Sequence, residues 1–481
     1  MNFSTIARYS MMLGLMYAQM GFAQSATDPV IIPLNNLNAF REPGKNWVLS
    51  SDAAVDFTKP NDMISVKGEG VLVNDVTKNN QMHLYTKEEF GDLFVELDFM
   101  MAKNSNAGIY FQGRYEIQLL DSWTRLVPTY GDLGGIYSRW SQQKGNFEGT
   151  APVMNVAKAP GLWQHLTVKF RAPRFNEKGE KIANARFDDI YINGVLVQQE
   201  AYVTGPTASS MFGDEKPTGP LVIQGDHGQV AIKNINYRTK WGSDPGPKGD
   251  QYWIPNSPYW ETIEPYTVIP DAKPAFIKSF LMHGDVKLTH VLSVGSPNQL
   301  NYSYDVKQGA LFQIWRGQFL DLAMAWKDRG GMQLAKPLGS VISLSDAPAI
   351  AVLPSENAAW PDSIPFDNMN NHGYSLDKQR SPTFTYSVDG MNVNDSIVSA
   401  LNGEGIVRTI SVANAPANLY GRVTEGKSIV SISENLFAVN DKSYYIRIDK
   451  KFNPVIRQSA KGQEIIVKYN TAIPLTYSII W

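Results

Sequence analysis

Apolar and polar residues alternate with a period of two through most of this chain, and that pattern commits it to strands. Leu93-Phe94-Val95-Glu96-Leu97-Asp98-Phe99 sets apolar against acidic positions, and Leu166-Thr167-Val168-Lys169-Phe170 and Ile190-Tyr191-Ile192-Asn193-Gly194 repeat the rhythm. Successive side chains of a strand point to opposite faces, so each run reads as a half-buried strand. Gly, Asn, Asp or Pro bounds the runs, and amphipathic helical stretches are scarce. The 38 Gly and 28 Pro, with 11 Trp, 22 Tyr and 21 Phe, suit many short strands and turns. The expected class is all-β: a concanavalin-like jelly-roll sandwich plus a second β-sandwich-like domain.

The alternation falls into two blocks. It stops near Trp241, where Gly242-Ser243-Asp244-Pro245-Gly246-Pro247-Lys248-Gly249-Asp250 has the composition of a linker. Aromatic and Pro-rich residues follow, Trp253 to Tyr266, and strand patterning resumes at about Ala275. The first domain is placed at 27–242, a connecting segment at 243–270 and a C-terminal β domain at 271–481. Ahead of them, Met1–Ala23 has one positive charge, Arg8, an apolar stretch from Met11 to Met16, and small residues Gly21 and Ala23 before Gln24. That layout is a secretory signal peptide, so a periplasmic or extracellular location in a bacterium is expected.

Composition removes several functions. A formal net charge of -2, from 44 basic and 46 acidic residues without long runs, argues against nucleic-acid binding. The absence of cysteine removes a disulfide framework, thiolate zinc, iron–sulfur clusters and a cysteine nucleophile. No other stretch is apolar enough over ~18 residues to span a membrane as a helix. The terminal Ile479-Ile480-Trp481 is similar to the aromatic end of outer-membrane barrels, but the ~10-residue two-faced strands of such a barrel are not evident.

The chemistry gathers at Asn104–Ser122, read as two strands joined by a Gly-mediated turn near Gly113. In the second strand, period two puts Arg114, Glu116 and Gln118 on one face and Tyr115, Ile117 and Leu119 on the other. A polar face of this kind suggests the wall of a cleft. Asp121 falls on the opposite face unless a bulge intervenes.

This segment resembles the 3-keto-disaccharide hydrolase domain family. The family pattern is an Asn-Ser-Gly strand, then Y-E-x-Q-x-x-D, then a G-x-I/L-Y element. Here these are Asn104–Gly108, Tyr115–Asp121 and Gly134-Gly135-Ile136-Tyr137. The likeness continues through Asn155, Lys158–Gln164, Ala172–Phe175, Asn193-Gly194-Val195, Gly205-Pro206-Thr207, Gly219–Gly228 and Val230–Ile235, covering about 34–238. Two departures are Asn106-Ala107-Gly108 after Asn-Ser, and Lys233 where the pattern has Arg.

The resemblance implies a concanavalin-like jelly roll, similar in fold to family 16 glycoside hydrolases, whose catalytic strand reads E-x-D-x-x-E. The corresponding strand here is Glu116-x-Gln118-x-x-Asp121. A retaining glycosidase needs two carboxyl groups ~5–5.5 Å apart, and here the middle acid is an amide. The family implies another route, in which a partner oxidoreductase oxidises the 3-hydroxyl of a glycoside to a ketone. A base then removes the acidified proton on carbon 2, the aglycone leaves carbon 1, and water adds later. Such chemistry needs a base, an enolate stabiliser and an acid.

On that reading Glu116 is the general base or a metal ligand, against a structural carboxylate paired with Arg114 or Lys158. His227 in Gly-Asp-His-Gly is the acid/base, oriented by Asp226, against a residue holding a turn. Lys158 and Arg114 bind the ketone oxygen or a hydroxyl, or form salt bridges. Gln118, Asn155 and Gln224 contact sugar hydroxyls. Asp121 binds a metal or a hydroxyl, or caps a turn. Trp123, Tyr110, Tyr137 and Trp140 are sugar platforms or core residues. His83 and His165, in strand-like stretches, read as core or surface residues. No cofactor is fixed by the sequence; calcium or manganese on oxygen ligands stays open, because a β-protein imposes no ligand spacing.

In the second block Trp315, Arg316, Trp326 and Arg329 form either a sugar- or partner-binding surface or Trp–Arg contacts that pin a sandwich edge. Three functions stand together: a secreted enzyme cleaving 3-keto-glycosides, a non-catalytic carbohydrate-binding protein, and a retaining glycosidase using Glu116 and Asp121.

Overall fold

The structure is a computed structural model that describes residues 28–77, 81–240 and 264–481. The expected signal peptide, Met1–Ala23, and most of the expected connecting segment lie outside the described residues.

Two sheets face each other in the first block. One has five strands in the order Phe40–Arg41, Leu84–Phe90, Gly219–Ile223, Asn106–Phe111 and Tyr115–Leu120. The other has eight, with Gln164–Arg171, Leu93–Met101 and Val230–Arg238 at its centre. Alternation decides what lies between them. From the larger sheet Leu93, Val95, Leu97 and Phe99 point inward with Leu166, Val168 and Phe170. Ile109, Phe111, Tyr115, Ile117 and Leu119 meet them from the smaller sheet. The complementary residues, Glu96 and Asp98 on one sheet and Glu116 and Gln118 on the other, therefore lie on opposite outer faces of the sandwich. This is the expected all-β architecture.

The turn between the two motif strands follows from its residues. Gln112 and Gly113 have φ of 55° and 64°, and the Arg114 N–H donates to Phe111 O at 3.0 Å. Positive φ at both central positions is the primed turn that suits the twist of a hairpin, and Gly takes it without cost. Pairing then runs from Phe111↔Tyr115 to Asn106↔Leu120 with no register shift. No bulge re-aims Asp121.

The second block is also β. It holds a six-stranded sheet built on Ala310–Asp321, an eight-stranded sheet and a four-stranded sheet. Its one described α-helix is Ala323–Lys327. No described helix is long and apolar enough to cross a membrane. Thr267–Val268, expected within the connecting segment, instead pair with Asp321 and Leu320 as an edge strand. Trp315 is fully buried and stacks on Phe319 at 5.9 Å. Arg316 is buried too, donating to Gly403 O at 2.8 Å. The surface alternative for this pair is thereby corrected, because both side chains are used inside the fold; Trp326 alone of the two tryptophans is exposed.

The blocks share a core. Phe57, Trp123, Ala159 and Leu162 of the first cluster with Tyr445, Ile446, Ile479 and Trp481 of the second. Phe57 stacks on Tyr445 at 5.2 Å, and the Trp123 indole N–H donates to Trp481 O at 2.6 Å. Lys442 reaches Asp52 at 2.7 Å.

Candidate functional site

Strand register builds a polar row on the outer face of the five-stranded sheet. Tyr85 stands opposite Val222, Val222 opposite Tyr110, and Tyr110 opposite Glu116. Beyond the last strand, Tyr137 N–H donates to Glu116 O at 3.1 Å, which carries the row on to Tyr137. The row one residue away, Leu84, Ile223, Ile109, Ile117 and Ile136, faces the core. A second polar row holds Gln224, whose N–H donates to Gly108 O at 2.9 Å, then Gly108, then its partner Gln118. Gly108 is needed there: a Cβ on it would stand 2.2 Å from Glu116 Oε1. The missing side chain is the space into which the Glu116 carboxylate folds.

Glu116 is 2% exposed. Burial pushes its pKa up to about 8, opposed by a hydrogen bond from the Tyr110 hydroxyl and reinforced by the charge of Asp226. Tyr110 is held neutral, first by burial and then by Glu116 itself. The same two causes raise Tyr137. Gln118 Oε1, Gln224 Oε1 and Asn106 Oδ1 are buried without hydrogen-bond partners. Orphaned amide oxygens are costly in a finished core and mark a place kept for a polar ligand.

The rim is histidine and acid. His227 Nδ1 lies 2.8 Å from Asp226 Oδ1 and 3.3 Å from Gln224 Nε2. The Gly225 N–H donates to His83 Nδ1 at 3.1 Å. Burial lowers the pKa of His83, so the ring is neutral near pH 7 and carries its proton on Nε2, free to donate. His83, expected as a core or surface residue, thus stands beside Asp226, 3.6 Å away. Nothing in its local sequence marks it. Only the pairing of the strand that follows it, Leu84–Phe90, with Gly219–Ile223 brings it there.

Glu116, Gln118, Gln224, His227, Tyr110 and Tyr137 therefore come together. The other singled-out residues do not join them. Arg114 stacks over Phe212 at 4.8 Å, bonds Asp214 Oδ1 at 2.7 Å and donates to Gln112 O at 2.8 Å, so it pins the loop carrying Asp214. Asn155 donates to Ser122 O and Arg125 O at 2.6 and 2.8 Å. Asp121 accepts from the N–H groups of Asn104 and Trp123, at 2.9 and 3.4 Å, as a turn cap does. Trp123 packs between the blocks, and Lys158 lies on the outer face of the other sheet. Trp140 is 61% exposed. It faces Asn146 across a short hairpin, and Asn146 reaches the Tyr130 hydroxyl. Tyr130 meets Tyr137 edge-on at 5.7 Å.

Among the described residues no group of three or more His, Asp or Glu side chains is gathered as a metal site. The donors around Glu116 are amides, tyrosines and histidines with a single buried carboxyl.

No curated protein matches the chain in sequence. Among solved structures, a candidate glycosyl hydrolase from Parabacteroides distasonis ATCC 8503 aligns over 100% of its length with 48% of this chain, at 20% identity and a TM-score of 0.30. A second from the same organism covers 44% of this chain and 100% of its own, at 19% identity and a TM-score of 0.30. The stretch that carries Glu116 and its neighbours, residues 34–238, matches the family model of the 3-keto-alpha-glucoside-1,2-lyase-like domain.

Proposed function

We propose that the chain is a carbohydrate-active enzyme that cleaves 3-keto-glycosides, exported to the periplasm or beyond, with Glu116 as the base. The observation that carries this reading is a lone buried carboxyl group whose pKa is pushed up to about 8, set among neutral donors and unpartnered amides. A carboxylate of raised basicity suits removal of a proton from carbon. In the first step Glu116 takes the proton on carbon 2, and the electron pair moves into the ketone to give an enolate. Tyr137 and the Nε2–H of His83 are the donors available to hold the enolate oxygen. As the enolate collapses, the bond from carbon 1 to the aglycone breaks. His227, paired with Asp226, gives the departing oxygen its proton. Water then adds across the double bond for net hydrolysis, or the unsaturated sugar leaves. Gln118 and Gln224 hold hydroxyls. The ketone must come from a partner oxidoreductase, since this chain has no cysteine and shows no nucleotide-binding pattern.

The retaining reading with Glu116 and Asp121 is disfavoured, because Asp121 is occupied by the backbone of its own loop. Incubation with a 3-keto-glucoside and with its unoxidised parent separates the readings. Cleavage of the ketone alone is expected. Cleavage of the parent would favour the retaining mechanism, and cleavage of neither would leave a binding protein.

A further inference from the structure

On the far side of the sandwich from Glu116, the two blocks border an open cleft of about 530 Å³. Its floor is the outer face of the eight-stranded sheet, with Glu96, Asp98, Lys158, Trp163 and His165, and its roof includes Asn440 and Asp441 of the second block. The volume falls within the roughly 300–1,000 Å³ of small-molecule sites.

Most of the charges here are already spoken for. His165 Nδ1 lies 2.7 Å from Asp98 Oδ1, and Asn234 donates to Asp98 Oδ2 at 2.6 Å. Lys233 sits 4.1 Å over the Trp163 ring and 2.7 Å from Asp441. Two groups are left over. Lys158 Nζ donates to Trp163 O at 3.2 Å and forms no ion pair among the described residues; desolvation lowers its pKa to about 8. Glu96 likewise has no ion-pair partner among the described residues. The charge of Asp98 offsets part of the desolvation of the Lys158 ammonium, and a ligand oxygen accepting from Nζ would return more of it.

The lining selects the ligand. Opposite charges on Lys158 and Glu96, with Asp98 near, disfavour a strongly charged molecule of either sign. Donors and acceptors placed side by side suit a neutral polyol. We propose that this cleft is a second saccharide site, shared by the two blocks, which holds a neutral, unoxidised di- or oligosaccharide apart from the place of cleavage.

Calorimetric titration of the full chain with maltose, cellobiose and trehalose tests this. At least one should bind in the millimolar range and bind equally well to Glu116→Gln. Lys158→Met, which keeps the apolar stem, and Glu96→Gln, which keeps shape and removes charge, should each weaken that binding about tenfold, or about 1.4 kcal/mol. The melting temperature of each variant checks that it is folded, and Glu96→Gln alone suffices if Lys158→Met is not. No heat with any of the three sugars at tens of millimolar overturns the proposal. Binding that vanishes in Glu116→Gln, or persists unchanged in the cleft variants, overturns it too. Because the probes carry no ketone, the result is independent of whether the proposed cleavage is correct.

Discussion

At the scale of single residues, one carboxyl group sets both activity and stability. Glu116 is pushed up to about 8 by burial, so its basic form is a minority at neutral pH. kcat/KM for a 3-keto-glucoside is expected to rise about tenfold per pH unit below 8 and to level off above it. A profile flat between pH 6 and 9 would remove Glu116 as the base. Stability should run the opposite way. A carboxyl whose folded pKa is raised binds more protons folded than unfolded, so its contribution is lost as pH climbs from the ordinary 4.5 towards 8. Glu116→Gln mimics the protonated form and escapes that loss. It should abolish cleavage while raising stability by roughly 3 kcal/mol at pH 7, with little gain at pH 4. Thermal melts at the two pH values measure this, and equal shifts at both would contradict it.

At the scale of elements, alternation along Tyr115–Leu120 was enough to separate Glu116 and Gln118 from Tyr115, Ile117 and Leu119, and to set Asp121 apart. Arg114 shows the limit of that rule. It shares the parity of Glu116, yet it sits in the turn, where Phe212 and Asp214 claim its guanidinium. His83 shows another limit, since period two says which face a residue takes but not which strand lies alongside. The Trp315–Arg316 pair shows a third limit. Trp315 and Arg316 lie on a strand buried on both faces, where alternation carries no signal. Register also explains Gly108, which stands opposite Gln118 beneath the Glu116 carboxylate. Gly108→Ala adds a methyl group at a backbone position that takes it without strain, so the fold should keep its melting temperature within a few degrees. The displaced carboxylate should lower kcat/KM about a hundredfold, as misplacement by an ångström does. Full activity in this variant would mean that the carboxylate does not work from where it lies.

At the scale of the whole molecule, the composition that promised two blocks did not foretell how closely they join. Trp123 reads in sequence as a neighbour of the motif strand and a platform for sugar. It is instead 8% exposed between the blocks, edge-on to Phe57 at 6.0 Å, with its indole N–H on Trp481 O. Gly161, with φ of 81°, brings its backbone so close to Tyr445 that a Cβ would stand 2.4 Å from the hydroxyl. A core cluster that draws on both blocks couples their unfolding, because neither can open without exposing the other's aromatic rings. The wild-type chain should therefore melt in one calorimetric transition. Trp123→Ala removes the largest first-block ring of the shared cluster and should cost about 3 to 5 kcal/mol. That loss falls on the junction, not on the core beneath Glu116, so the variant should melt in two transitions and still cleave a 3-keto-glucoside below the first. Two transitions already in the wild type would show that the blocks fold independently and that their contact is a docking surface. One transition in Trp123→Ala, shifted down intact, would place the coupling in the Lys442–Asp52 and Lys233–Asp441 pairs instead, where added salt would weaken it.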